Sequence, residues 1–491
     1  TDRLLRSWLR CRRKAWLDRH GDANQRRWTA HRNLLLDDQQ RSFVALLPHK
    51  PGHGMAACAA GEEGVVGLRF KGEGPSGEPV EAHPPLLLRV AGQSRWGPFA
   101  YQPVLARQGR RITREHQLPL ALMGHLLEAY QVGPVPELLV LGGGGRRLER
   151  ERIRLTSGLR KQLSEALRKL NADLERPQPP ALAADRRKCT LCSWRESCSR
   201  VASADGHLSE VSGIGAKRRE MLQELGVHGL NDLASANPER LAVEMERFGE
   251  QHGDVARGLV AQAVAQRDGL VERLDSTFAL PELQGAPGVL LYDIESDPDA
   301  RHDFLHGFLR LPRQSDGRWD LAAATYHPLL VMAEHGEQRS WLRLQRLLSR
   351  YDGWPILHYG ETETLSLRRL AQRQGASDAQ LRRLKRRLVD VHARIRSHWR
   401  LPLSSYGLKS VAAWRGFRWS QAGVDGARAL LWWRQWLGEG PKRRGSRHGL
   451  AWIFRYNQDD CRATWAVAEW LLKEDDLLKT GPDTDQPTAG P

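Results

Sequence analysis

Long apolar runs are missing from this 491-residue chain. No stretch approaches the roughly 18 uninterrupted apolar residues that a spanning helix needs, so a helical membrane protein is excluded. The Arg-studded first residues also lack the apolar core of a signal peptide. Cysteine is sparse: there are six, and three crowd together as Cys189, Cys192 and Cys198, which excludes a disulfide scaffold and makes a reducing cytoplasm the expected compartment. Acidic residues run short as well. The 58 Asp+Glu against 75 Lys+Arg leave a formal charge of +17, in a chain that is 40% apolar and 27% charged. That composition belongs to a folded, basic protein, and at roughly 100–200 residues per domain its length suits about three domains. Surplus positive charge points to a polyanion, DNA first with RNA as the alternative, and to no membrane; an Arg-biased genome is the competing explanation. No feature points to an oligomeric state.

Three regions separate by pattern. In residues 1–203, Arg-rich helical stretches mix with strand-like runs at Pro85–Val90, Ala100–Leu105 and Glu137–Leu141, and apolar spacing from Leu118 to Leu127 predicts an amphipathic helix. Residues 204–280 read as helical, with no convincing strand. Residues 285–475 return to α/β character, beginning with the apolar run Val289–Ile294, and residues 476–491 are expected to form a disordered tail. The fold class is therefore multidomain α/β.

Asp293-Ile294-Glu295 ends that apolar run. Alternate strand residues share a face, so both carboxylates project together, an arrangement that favours a divalent cation between them. Further acids follow: Glu363 opens a helical stretch after the short strand-like Pro355–Tyr359, and Tyr456 and Asp460, four apart, share one face of a helix expected to begin at Tyr456. The set Asp293, Glu295, Glu363, Asp460 and Tyr456 resembles the three motifs of the DEDD exonucleases on a ribonuclease H-like fold. The resemblance implies two Mg²⁺ or Mn²⁺ ions held by the four acids, with Tyr456 orienting the attacking water. The second motif departs from the family, which has Asp where this chain has Glu363. Glu361 is an alternative ligand, although helical spacing points it elsewhere, and Asp390 is a further candidate. Lys409, in Ser404–Lys409, matches the family's segment near the substrate and is expected to meet a phosphate.

Cys189, Cys192 and Cys198 have the density of a metal site that lacks a fourth ligand, for which Cys11 is the candidate. One early cysteine and a late cluster of three resemble the iron–sulfur RecB-like nucleases. There, four thiolates hold a [4Fe–4S] cluster; Zn²⁺ on the same thiolates is the alternative. Such a domain should carry the PD-(D/E)xK signature. Pro85, Leu105 and Arg107 stand where its Asp, its second acid and its Lys belong, so a degenerate, restriction-endonuclease-like nuclease domain is expected, with Gln117 matching a downstream motif. Cys58 and Cys461 read as small buried residues.

Between these regions, Gly213-Ile214-Gly215 followed by Lys217 and Arg218 resembles the hairpin of a helix-hairpin-helix module. That module grips DNA phosphates through backbone N–H groups and nearby cations without reading bases; a structural helical hairpin is the alternative. Trp432, Trp433 and Trp436 recur at helical spacing and are expected in the core, whereas Lys442–His448 reads as a basic loop. The whole pattern resembles a bacterial RecB-like putative nuclease family that fuses an iron–sulfur RecB-like domain, a helix-hairpin-helix segment and a C-terminal ribonuclease H-like domain. The resemblance implies a metal-dependent nuclease, a 3′–5′ exonuclease on DNA. The alternative is a nucleic-acid-binding scaffold in which both nuclease sites have decayed.

Overall fold

The computed structural model describes residues 1–107, 111–135, 137–142, 148–183, 186–298, 302–332, 336–439 and 446–480. The chain divides into two compact units, Thr1–Val201 and Ala202–Pro491. The helical module expected at 204–280 thus shares a unit with the C-terminal α/β region, although it keeps its own apolar cluster around Leu208, Leu222, Leu233, Leu241 and Leu259.

Unit 1 is built on a six-stranded mixed sheet of Gly52–His53, Gly64–Val66, Leu86–Ser94, Gly97–Arg107, Leu138–Gly142 and Glu149–Ile153, in that spatial order. All three strand-like runs read from the sequence are strands in it. The expected amphipathic helix differs. Arg114–Gln131 is buried on nearly every face from Leu118 to Leu127, because its side chains join one cluster with the sheet, the N-terminal helix Asp2–Arg10 and the helix Ser157–Leu174. A helix enclosed on all sides needs no polar face.

Among the described residues, the main sheet of unit 2 has five strands: β1 Gly288–Asp297, β2 His302–Pro312, β3 Thr325–Leu330, β4 Ile356–His358 and β5 Leu388–Asp390. Their spatial order is β3-β2-β1-β4-β5; β1, β2 and β3 pair antiparallel, and β4 and β5 continue parallel to β1. Among the described residues seven helices accompany them: α1 Gly336–Arg350, α2 Glu361–Arg373, α3 Asp378–Arg387, α4 Val391–His398, α5 Leu408–Trp414, α6 Gly426–Glu439 and α7 Ser446–Thr480.

Strand β1 is apolar on both faces, as a central strand covered on both sides must be. Val289 and Leu291 join the cluster that contains Cys461, Ala463 and Trp465 of α7, whereas Leu290 and Tyr292 join the cluster of α1 and α2 with Trp341, Leu344 and Leu367. This period-two division decides where the next residues point: Asp293 continues the series that faces α7.

Four expectations are corrected here. Helix α7 does not open at Tyr456; it starts at Ser446 and runs for 35 residues, about 52 Å at 1.5 Å per residue. Ser446, Arg447 and His448 therefore belong to its first turn and not to a loop, while 440–445, the rest of that basic run, lie outside the described residues. The same helix carries 476–480, which were expected to be a disordered tail; 481–491 lie outside the described residues. The 204–280 segment also holds one short strand, Glu272–Arg273, paired antiparallel with Trp399–Arg400. As expected, Trp433 and Trp436 are buried, stacked on each other at 5.3 Å, and Trp432 is half-buried. No helix among the described residues is long and apolar enough to cross a membrane.

Candidate metal centre and its surroundings

Asp293 and Glu295 leave β1 just before a register shift in its pairing with β2, between Glu295 and Ser296. That irregularity lets the strand bend away once both carboxylates are aimed at α7. Asp460 meets them from the helix. One carboxylate oxygen of each lies within 4.8 Å of those of the other two, the one such grouping of three or more metal-donor side chains among the described residues. Asp297, next in the alternating series, is spent elsewhere: Arg434 of α6 grips it through Nε at 2.9 Å and Nη2 at 2.7 Å.

Carboxylates this close and this buried resist ionisation. Burial, followed by the charges of Asp460, Glu295 and Glu363, pushes the Asp293 pKa well above the carboxylate range. Glu295 is raised in the same way, by burial and then by Asp460. Asp460 is pushed up to about 6 by burial, against hydrogen bonds from Trp419 and Tyr456 and the charge of Lys409. Protonation or a bound cation would relieve such a cluster.

Glu363 sits in the first turn of α2, outside the trio but within its electrostatic reach. Its Oε2 is buried with no hydrogen-bond partner, and burial, with the charges of Asp390 and Asp460, pushes its pKa up to about 7. Such an acceptor could take a bond from a group outside the chain. Glu361 is exposed. Asp390 is occupied: it caps α4, its Oδ1 accepting from the N–H groups of His392 at 3.0 Å and Ala393 at 3.2 Å, and it also accepts from Gly360 N–H at 3.0 Å. It thereby ties the end of β5 to the loop that delivers Glu363.

Tyr456 is buried beside Asp460 and hydrogen-bonded to it, and burial and the three acids hold its hydroxyl protonated. Lys409 Nζ lies 5.2 Å from the Tyr456 ring centroid and 5.9 Å from that of Trp419, and it donates to the Val424 carbonyl at 2.6 Å. The sequence reading missed two groups that touch the acids. Trp419 Nε1 donates to Asp460 Oδ1 at 2.6 Å, and Asn457 Nδ2 donates to Asp293 Oδ2 at 2.7 Å. Asn457 lies inside the Tyr456-to-Asp460 segment, and its buried helix position was the one signal available.

Residues 290–472 match a family model of the RNase H superfamily, RNase_H_2. The C-terminal domain is ribonuclease H-like. Such a domain with a buried acidic cluster has the makeup of a nuclease-type hydrolase that uses divalent metal and acts on nucleic acid. No curated protein matches the chain.

In unit 1, Cys11, Cys189, Cys192 and Cys198 line one cavity of about 30 Å³, as their assignment to a common site requires. Cys11 is the single extended residue between the helices Asp2–Arg10 and Arg12–His20. Neighbouring contacts hold the late cysteines against those helices: Trp194 Nε1 donates to Asp18 at 2.8 Å, and Arg13 reaches the Pro180 carbonyl at 2.9 Å. Burial raises the pKa of Cys189, Cys192 and Cys198, so without metal these thiols stay protonated. Arg10, Arg13, Lys14, Arg186 and Arg195 line the same cavity and suit an anionic thiolate cluster.

Elsewhere in unit 1, Leu105 is buried in the core and Pro85 precedes the Leu86–Ser94 strand. The Arg107 side chain is 2% exposed and pairs with Glu149 at 2.8 Å and, through Nε, with Glu151 at 2.9 Å. Gln117 is half-buried in the first turn of Arg114–Gln131.

In the hairpin, Gly213 has φ +92°, a conformation only glycine adopts freely, whereas nothing lies within 4 Å of a Cβ placed on Gly215. Lys217 is exposed in the first turn of the helix Ala216–Glu224. Arg218 instead folds back, donating to the Gly213 carbonyl at 2.7 Å.

Proposed function

We propose that the protein is a two-metal nuclease, a 3′–5′ exonuclease acting on DNA, whose working acids are Asp293, Glu295, Glu363 and Asp460. The observation that carries this reading is the convergence of three carboxylates from a strand and a helix, with the unpartnered Glu363 Oε2 close by. Divalent ions held there would supply a water nucleophile at neutral pH and charge stabilisation for the attacking and leaving oxygens. The chain's own residues supply the rest. Trp419 and Asn457 hold three of the carboxylates in place, and Tyr456 keeps a hydroxyl proton at the edge of the cluster to orient water. Lys409, whose charge acts on Glu295 and Asp460, is suited to a backbone phosphate.

The remaining modules fit a holding role. Gly215 is free of any steric demand from the fold, which favours an external approach to its backbone, and Lys217 stands beside it; together they support phosphate contact without base readout. The N-terminal domain is read as a degenerate RecB-like fold, since no metal-binding acid stands beside Arg107 in the three signature positions. Its four cysteines are assigned to a [4Fe–4S] cluster, with Zn²⁺ on the same thiolates as the alternative.

Incubation of end-labelled single- and double-stranded DNA and RNA with the full chain and Mn²⁺ tests the reading. Stepwise loss of 3′ nucleotides from DNA, abolished by chelator and by Asp293→Ala with Asp460→Ala, is the expected result. Binding without metal-dependent cleavage of any strand would establish the scaffold alternative instead. Visible sulfur-to-iron charge-transfer absorption is expected of the purified protein, whereas a Zn²⁺ site is colourless.

A further inference from the structure

Behind the acids runs a set of contacts that no motif contains. Asn457 is fully buried on α7. Its amide Nδ2 donates to Asp293 Oδ2 at 2.7 Å, the same side chain is hydrogen-bonded to Glu295, and its Oδ1 accepts from the Tyr326 hydroxyl of β3 at 2.8 Å. The two partners fix the amide's orientation: a carboxylate accepts only from the nitrogen end, so the oxygen end faces Tyr326.

Strand β2 crosses between these groups at Gly307, which pairs in register with Asp293 on one side and Pro328 on the other. Its φ is not in the left-handed region, so backbone conformation does not call for glycine. Glycine inside a strand costs stability and often marks a close approach. Here the approach is measurable. A Cβ at residue 307 would lie 1.6 Å from Asn457 Oδ1 and 2.9 Å from the Tyr326 hydroxyl. No side chain fits there while Asn457 keeps its place.

We propose that Gly307, Tyr326 and Asn457 form one positioning device for the metal ligands. Gly307 leaves the room, Tyr326 sets the amide, and the amide holds Asp293 and Glu295 facing Asp460. An amide suits the task because it donates to two carboxylates while leaving their negative charge for a cation; a Lys or Arg in its place would neutralise that charge. Asn457 is thus a positioning residue, and its assignment rests on the metal-site reading above.

Mn²⁺ titration of the purified full chain, followed by electron paramagnetic resonance, tests the device. Asn457→Ala is expected to bind Mn²⁺ about tenfold more weakly, the low end of what supporting partners of metal ligands contribute. Gly307→Ala is expected to lose about as much, and the double variant to match Asn457→Ala within about twofold, since the added methyl then meets only the Tyr326 hydroxyl, which has lost its Asn457 acceptor and lies at the free end of its side chain. Tyr326→Phe, which removes one neutral hydrogen bond and no bulk, is expected to lose about threefold, and nothing further when Asn457 is already Ala. Should Gly307→Ala fail to fold, as thermal melting would reveal, the Tyr326 and Asn457 pair carries the same test. Parent-like affinity in Asn457→Ala, or losses that multiply in the double variants, would overturn the device. A parent that shows the expected Mn²⁺ pattern but cuts no strand upholds the device and refutes the nuclease reading; a parent that binds no Mn²⁺ refutes both.

Discussion

Two corners of this chain contain similar groups in opposite states of balance. In unit 1, Arg107 sits at the end of a central strand and pairs with Glu149 and Glu151 from the adjacent hairpin. The cation is part of the polypeptide, the acids are partly exposed to solvent, and the arrangement is closed. At the end of β1, Asp293 and Glu295 gather with Asp460, and among the described residues none of the three forms an ion pair. Lys409, whose charge acts on Glu295 and Asp460, is directed at a carbonyl and two rings, and the Asp293, Glu295, Asp460 and Glu363 pKa values all rise. Charge satisfied from within supports a fold, whereas charge left unsatisfied recruits an ion, and the second condition is the one that can produce hydrolysis.

The largest effect that sharpens this contrast is on catalysis. Asp460→Asn keeps shape but removes a charge from the cluster, and metal-dependent cleavage is expected to fall by about 10³-fold, while the melting temperature without metal does not drop. Steady-state cleavage rates and melting curves check both halves.

Stability against pH gives the next effect. Glu363 has a folded pKa of about 7 against an ordinary 4.5, so the native state favours its protonated form. Ionisation is therefore unfavourable in the native state: relative stability is full below about pH 4.5 and is lost as pH rises through about 7. Glu363→Gln should accordingly stabilise the metal-free chain at pH 8 by about 2 kcal/mol and leave it unchanged at pH 4, as measured by denaturant unfolding at the two pH values. Parent and variant losing stability in parallel over that range would break the account of a charge-strained cluster.

Arg107→Met tests the other corner. Since Glu149 and Glu151 are partly exposed and regain water, the expected cost is modest, about 1–2 kcal/mol in unfolding free energy, with cleavage unchanged. The smallest effect belongs to Lys409, whose charge lowers the pKa of Asp460 and Glu295. Its removal in Lys409→Met should displace the pH profile of Mn²⁺ binding upward by about half a unit.

Much of the frame was legible in the sequence because it follows local rules. The apolar run before Asp293 names a central strand, and its period of two places Asp293 and Glu295 together. Four-residue spacing likewise joins Tyr456 to Asp460. What escaped depended on distant partners. Nothing near Asn457 shows that Tyr326 and Gly307 meet it, and nothing near Trp419 shows that its indole reaches Asp460, since both contacts arise only once the sheet and α7 pack. Asp297 and Asp390 have the same residue type as the clustered acids, and only Arg434 and the start of α4 remove them from the set. The extent of α7 was misread for a related reason: its first turn is a run of polar and basic residues without the apolar periodicity that marks a buried helix. Leu118 to Leu127 showed the opposite failure, a helical period read as one-sided in a helix that the fold encloses.

Parallel cleavage assays on Asp293→Asn and Arg107→Met, with end-labelled DNA and Mn²⁺, test the central claim most directly. The account predicts that Asp293→Asn loses metal-dependent cleavage and that Arg107→Met retains the parent rate. Retained cleavage in Asp293→Asn, or its loss in a folded Arg107→Met chain, would contradict it.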